Sequence, residues 1–231
     1  MLKFEEVGFV YPNGHIALKP INFALKRGLS LGILGESGSG KSTVAKLACR
    51  LLIPTNGSIL RKGTAQMIFQ NPTGSLNPCW SIRRILEEPL KMHNIKKSPK
   101  QLLQEVGLSP EMLERTPLQI SGGQCQRVAI ARALSLSPDF LIIDEGTSSL
   151  DSYTELQILS LLKRRQAEEG FGMVVISHHP EVIRETTNQL IVLRNGQVVE
   201  SGETERIFNS PNDDYTKLLL SSVYPKTNLF G

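Results

Sequence analysis

The chain has 231 residues, 40% of them hydrophobic and 21% charged, with eight Phe, four Tyr and one Trp; this supplies a substantial core and excludes disordered and fibrous classes. Lysine and arginine number 26 against 22 acids, a formal charge of +4 without a long basic run, so the balance predicts a solvated surface and no nucleic-acid partner. Cys49, Cys79 and Cys125 lack CxxC spacing and are odd in number, which argues against a disulfide framework or structural zinc and fits a reducing compartment.

The opening residues, MLKFEEVGFVYPNG, carry acids and a turn where a secretory leader needs an apolar stretch. No apolar run approaches the roughly 20 residues of a membrane-spanning helix, so the expectation is a cytosolic protein whose membrane role comes through partners. Residues 2–9 and 21–26 alternate as antiparallel strands do. Residues 31–34 read as a buried strand running into a Gly-rich turn, and residues 42–52 read as a helix that stops before Pro54 and Gly57. An apolar run at 65–69 leads to Gln70. From Asn71 to about Pro117 no strand-like run occurs, and segments 82–92, 99–106 and 110–115 look helical, as does 126–136. Short runs at 140–143, 173–176 and 190–193 suit central strands covered on both faces. Between the first two, helix 154–168 presents Leu156, Leu159, Leu161 and Leu162 to the core. The class is α/β, read as one domain over 1–231: a core from 1–70 and 138–222 with an N-terminal antiparallel β-subdomain, an inserted helical subdomain at 71–137, and a tail at 223–231.

Gly35-Glu36-Ser37-Gly38-Ser39-Gly40-Lys41-Ser42 satisfies GxxxxGK[ST] directly after a strand and opening a helix, the context a P-loop requires. Its glycines let successive backbone N–H groups turn towards a polyphosphate, and the helix N-terminus adds a favourable dipole. Lys41 is suited to reach the β- and γ-phosphates, and Ser42 to hold Mg²⁺, with Thr43 following. The run 140–143 then delivers Asp144 and Glu145 to a strand's carboxyl end, where open α/β sheets bind ligands. Asp144 suits Mg²⁺, usually through water, and Glu145 suits polarising an attacking water. Kinases, GTPases, helicases and transport ATPases all remain open at this point, although no NKxD sequence supports guanine recognition.

Ile120-Ser121-Gly122-Gly123-Gln124 separates them. It closely resembles the LSGGQ signature of ATP-binding cassette (ABC) proteins, a second anion cradle of serine hydroxyl and glycine N–H groups at a helix N-terminus. The resemblance extends over nearly the whole chain and implies a RecA-like P-loop NTPase core, with ATP and Mg²⁺ as ligands. It implies that Tyr11 stacks on adenine, with an ordinary strand-end tyrosine as the competing reading. It places Gln70 as the Q-loop glutamine contacting Mg²⁺ or the attacking water, and Glu145 as the catalytic carboxylate. Ser148-Ser149-Leu150-Asp151 is similar to the D-loop, and His178 to the switch histidine that contacts the γ-phosphate. Ser121, Gly122, Gly123 and Gln124 would bind the γ-phosphate held by an opposite subunit. Three positions depart from the pattern: Ile120 for Leu, Gly146 for the usual proline, and His179 for the usual aspartate. None removes Lys41, Asp144, Glu145 or His178, and an active ATPase is expected.

The segment from Phe69-Gln70-Asn71-Pro72 to Ser75-Leu76-Asn77-Pro78 is similar to the FQNP…SLNP stretch of the oligopeptide, dipeptide and nickel import family. Glu200-Ser201-Gly202 through Ile207-Phe208-Asn209-Ser210-Pro211, then Tyr215-Thr216-Lys217-Leu218-Leu219, looks like that family's tail. The implied role is the subunit energising an importer of peptides, nickel or a metal chelate. The implied partners are a second ATPase subunit (identical or not, head to tail), two membrane permeases and a solute-binding protein, with the chain peripheral on the inner face of the membrane. An export ATPase with separate membrane subunits is the alternative. A non-transport ABC protein is the other: its DNA-repair type would need a long heptad insertion between Lys41 and Ser121, and its translation-factor type a second cassette. Four His and three dispersed Cys make no nickel site in this chain.

Overall fold

Alternating side chains at the start of the chain form strands β1 (Leu2–Val10) and β2 (Ile16–Leu25) in the computed structural model, which describes residues 1–69, 71–144 and 152–221. The alternation of β1 is not continuous. Leu2 and Phe4 point inward, then Val7 and Phe9, and the change of phase falls at Glu5 and Glu6, where the register shifts and Glu6 takes φ 48°. A bulge there moves the later residues back to the core face.

The elements that follow are β3 (Ser30–Leu34), α1 (Lys41–Ala48), β4 (Asn56–Arg61), β5 (Ala65–Ile68), α2 (Pro72–Ser75), α3 (Ile82–Met92) and α4 (Pro99–Glu105). Two 3-10 turns, Pro110–Glu114 and Pro117–Gln119, lead into α5 (Gly122–Leu134). Then come β6 (Phe140–Asp144), α6 (Ser152–Glu169), β7 (Gly172–Ile176), α7 (Pro180–Thr186), β8 (Gln189–Arg194), β9 (Gln197–Glu203), α8 (Thr204–Asn209) and α9 (Asp214–Ser221). Two sheets result: an antiparallel one of order β2-β1-β4, and a larger one of order β5-β6-β7-β3-β8-β9. The larger sheet is parallel except for β9, which runs antiparallel to β8. Every residue of β3, β6 and β7 is buried, as expected for strands covered on both faces. The run before Gln70 is different: β5 is the sheet's edge strand and is mostly half-exposed.

Several boundaries differ from the sequence expectation for identifiable reasons. Helix α1 ends at Ala48 and not at residue 52, because Arg50 turns left-handed (φ 60°). Arg50 N then donates to Leu47 O and Leu51 N to Lys46 O, which closes a Schellman motif and directs the chain towards β4. Helix α5 begins four residues earlier than the expected 126, capped by Ser121, so the signature glycines are its first turn. The segment at 110–115 forms a 3-10 turn, led by Pro110 and capped by the Ser109 side chain. On α6, Ile158, Leu159 and Leu162 are fully buried while Leu161 is only half-buried; the side chain of Leu156 lies outside the described part. Strand β9 was not expected in its own right, since it carries mostly exposed or half-exposed residues with no run of apolar side chains.

Among the described residues no helix is long and apolar enough to cross a membrane. The three cysteines are all free. Cys125 is buried with its Sγ–H directed at Pro117 O (3.4 Å), and burial pushes the Cys49 thiol up to about 12. Cys79 is exposed. Because the thiolate is the reacting species, a thiol-titration time course on the native protein is expected to show one fast group, lost in Cys79→Ser, and three after unfolding. Two fast groups in the native chain would contradict this packing.

Candidate functional site

Strand β3 ends at Leu34 and the chain turns at once into the Gly-rich loop. Gly35 adopts φ 155°, and a side chain there would meet Leu193 O at 2.2 Å and Ser39 Oγ at 2.7 Å, so only glycine lets the loop pass so close to β8. Gly40, at φ 108°, is the N-cap of α1 and contributes no side-chain cap. Lys41 is 4% exposed, and its Nζ donates to Gly35 O and Glu36 O, both at 2.8 Å. The ammonium therefore lies across the loop. Ser39 Oγ is buried there with no hydrogen-bond partner among the described residues, and a Cβ at Gly38 would meet nothing within 4 Å. An orphaned hydroxyl in an open, glycine-lined turn fits a polyanion supplied from outside.

Ser42 Oγ donates to Asp144 Oδ1 at 2.9 Å, joining residues 102 apart in sequence, and Asp144 is 5% exposed. A hydroxyl and a carboxylate side by side are hard oxygen donors of the kind Mg²⁺ takes. Strand β7 lies between β6 and β3, so Asp144, His178 and the loop all emerge at one edge of the sheet. His178 is exposed and its ring lies 4.4 Å from that of His179. His179, the departure from the family aspartate, takes the N-cap position of α7, and its backbone N–H donates to the buried Ser177 Oγ.

Tyr11 reaches the same site from the smaller sheet. Its hydroxyl is 3.2 Å from Thr43 Oγ1, and its ring meets Phe9 edge-on at 4.9 Å and lies nearly parallel to His15 at 6.3 Å. Tyr11, His15 and Ala17 share with Ser37, Gly38, Gly40, Lys41, Ser42 and Thr43 a cavity of about 280 Å³. An aromatic face at one end and a cationic loop at the other match a purine joined to phosphates. His15 was not singled out from the sequence, where nothing local distinguishes it.

The signature residues sit elsewhere. Ser121 and Gln124 form a capping box, Gln124 N to Ser121 Oγ at 3.3 Å and Ser121 N to Gln124 Oε1 at 2.9 Å. Among the described residues a Cβ at Gly122 or Gly123 would meet nothing within 4 Å. None of residues 121–124 lines the cavity at the phosphate loop, so among the described residues this chain does not bring its two cradles together. Gln70, Glu145, Gly146 and Ser148-Ser149-Leu150-Asp151 lie outside the described residues.

One further side chain was missed. Arg132 of α5 lines a second cavity of about 570 Å³ together with Ser42, Asn71 and Asp144. Its Nη1 donates to Ser75 O at 2.9 Å, and burial holds its guanidinium below the ordinary arginine value. The signal was present: it is the one cation in the otherwise apolar run Val128-Ala129-Ile130-Ala131-Arg132-Ala133-Leu134.

A family model described as ABC transporter matches residues 18–148. The probable D,D-dipeptide transport ATP-binding protein of Escherichia coli is 44% identical over 218 residues, covering 90% of this chain and 70% of that one. The oligopeptide transport ATP-binding protein of Streptococcus pyogenes is 39% identical over 232 residues, covering 90% of this chain and 76% of that one. A dimeric ATP-binding cassette solved in a post-hydrolysis state with ADP and Pi is 30% identical with a TM-score of 0.79, covering 88% of this chain and 99% of that one.

Proposed function

This chain belongs to the ABC transporter family, and on that premise we propose that it is the ATP-hydrolysing subunit of a peptide importer. The observation that carries the nucleotide part is the Ser42 Oγ to Asp144 Oδ1 contact. It sets the motif's hydroxyl against a strand-end carboxylate beside a loop crossed by Lys41. The import part rests on relatives named for dipeptide and oligopeptide transport.

In this reading ATP lies along the cavity, adenine on Tyr11 and phosphates on Gly35, Glu36, Ser37, Gly38, Ser39, Gly40, Lys41, Ser42 and Thr43. Mg²⁺ would be held by Ser42, Asp144 and Gln70, where its charge offsets that of the phosphates. Glu145 takes the proton of the attacking water, and His178 contacts the γ-phosphate side. Residues 71–137 act as a helical subdomain presenting Ser121, Gly122, Gly123 and Gln124 to the nucleotide of a second ATPase subunit. Closure of that head-to-tail pair then moves two membrane permeases fed by a solute-binding protein, with the chain peripheral on the inner membrane face.

Uptake of a radiolabelled dipeptide tests the proposal. Cells deleted for this chain are expected to lose energised uptake and to regain it with the wild type but not with Asp144→Asn. Unchanged uptake in the deletion strain would reject a peptide substrate.

A further inference from the structure

The tail segment Tyr215-Thr216-Lys217-Leu218-Leu219 has no part in the site described so far, yet one of its side chains touches the phosphate loop. Tyr215 is 6% exposed, and its hydroxyl oxygen accepts the backbone N–H of Glu36 at 3.1 Å across 179 residues of sequence. We infer that Tyr215 is a positioning residue for ATP: helix α9 uses its phenol to fix the Gly35–Glu36 peptide and so the orientation of Lys41. This rests on the nucleotide reading of the loop.

Gly35 C=O and Glu36 N–H belong to one rigid, planar unit. The N–H end is held by Tyr215 and the C=O end by Lys41 Nζ at 2.8 Å. Rotating the unit breaks both contacts, and the next carbonyl, Glu36 O, is the second acceptor of Lys41. Gly35 has no Cβ to restrict its own backbone, so an external hold is what prevents this peptide from turning.

The phenol is itself held. The Arg194 guanidinium lies over its ring at 4.7 Å. Asp213 Oδ1 accepts from Tyr215 N at 2.9 Å and Thr216 N at 3.2 Å, fixing the first turn of α9. The Glu200 carboxylate of β9, 7% exposed, accepts from Asn212 N at 3.0 Å and Asp213 N at 3.2 Å. The neighbouring β8–β9 turn contributes a parallel contact, Gly196 N to Ser39 O at 3.0 Å. Both supports come from sequence beyond the stretch matched by the family model.

Tyr215→Phe keeps the ring, its burial and the Arg194 contact and removes only the oxygen. Loss of one hydrogen bond is expected to weaken ATP binding to the full chain, measured calorimetrically with Mg²⁺, by about three- to tenfold. The Glu36 amide proton resonance is expected to move upfield in the nucleotide-free protein. In the assembled transporter KM for ATP should rise by the same factor while kcat stays within about twofold, since the contact of the hydroxyl among the described residues is with the backbone of the loop that holds the phosphates. Arg194→Met, a surface change that frees the ring but leaves the hydroxyl, should give a smaller loss of about twofold and carries the test if Tyr215→Phe does not fold. Wild-type affinity in Tyr215→Phe, or a fall in kcat with KM unchanged, overturns the inference while leaving the ATP site standing. Wild-type affinity in Lys41→Ala overturns the ATP site and the inference with it.

Discussion

Lys41→Ala is expected to weaken ATP binding by two to three orders of magnitude. Lys41 is buried at 4% exposure, and its Nζ sits between Gly35 O and Glu36 O in the cavity that opens towards Tyr11. A phosphate entering there meets a cation already stripped of most of its water. Deleting one partner of such a desolvated charge pair costs about 3–4 kcal/mol, and each 1.4 kcal/mol is about tenfold in Kd. The nucleotide-free protein should lose much less. Two carbonyls lose a donor, worth about 1–2 kcal/mol, or roughly 2–8 °C in Tm for a chain of this size. Isothermal calorimetry beside thermal melting separates the two effects, and a folded variant with near-wild-type affinity would reject the loop as the phosphate site.

The second large effect is on turnover and leaves binding intact. Gly123→Asp should reduce ATP hydrolysis by the assembled ATPase pair by about a hundredfold or more, while the isolated chain binds ATP as the wild type does. Among the described residues nothing lies within 4 Å of a Cβ at Gly123, so a side chain leaves the backbone there without a clash. Gly123 is the second residue of α5, after Ser121 as N-cap, where an added carboxylate favours the helix dipole by about 0.3–1 kcal/mol. The variant should therefore be marginally more stable. Its fault appears only when a γ-phosphate approaches from another subunit, where like charge in a closed interface costs several kcal/mol. Nucleotide-dependent association followed by light scattering, with turnover measured in parallel, tests this. Loss of ATP binding by the isolated chain would place the cradle in cis, and normal turnover in the pair would remove it from catalysis.

Those residues were legible because their information is local. Gly35 to Ser42 is one continuous motif, and Phe140 to Asp144 is one buried strand that ends on the candidate Asp144. The pairing of Ser42 with Asp144 followed from the loop after β3, which leads into α1, and the end of β6 lying at the same carboxyl side of the sheet. Strand β9 escaped because an edge or half-exposed strand needs no apolar run, only a partner. The early start of α5 was hidden in the two glycines, which count as helix breakers until Ser121 and Gln124 are seen to cap reciprocally. Tyr215 was visible only as part of a tail motif. Its contact with Glu36 depends on how α9 is seated on β9, which no window of neighbouring residues encodes. Gln70 and Glu145 rest on motif position alone.

The order β5-β6-β7-β3-β8-β9 bears on how the protein is made. Strand β3 carries the phosphate loop, but its two neighbours in the sheet, β7 and β8, come from residues 172–194. As the ribosome extends the chain, the loop emerges early and stays unsupported while all of α1 to α6 is translated. Closing such long-range pairings is slow relative to local helix formation. The helices between β5 and β6 can therefore form first, and the nascent chain acquires nucleotide affinity in one late step when β8 docks beside β3. Ribosome-stalled chains ending before residue 172 should fail to be retained on immobilised ATP, and those with residue 221 outside the exit tunnel should bind.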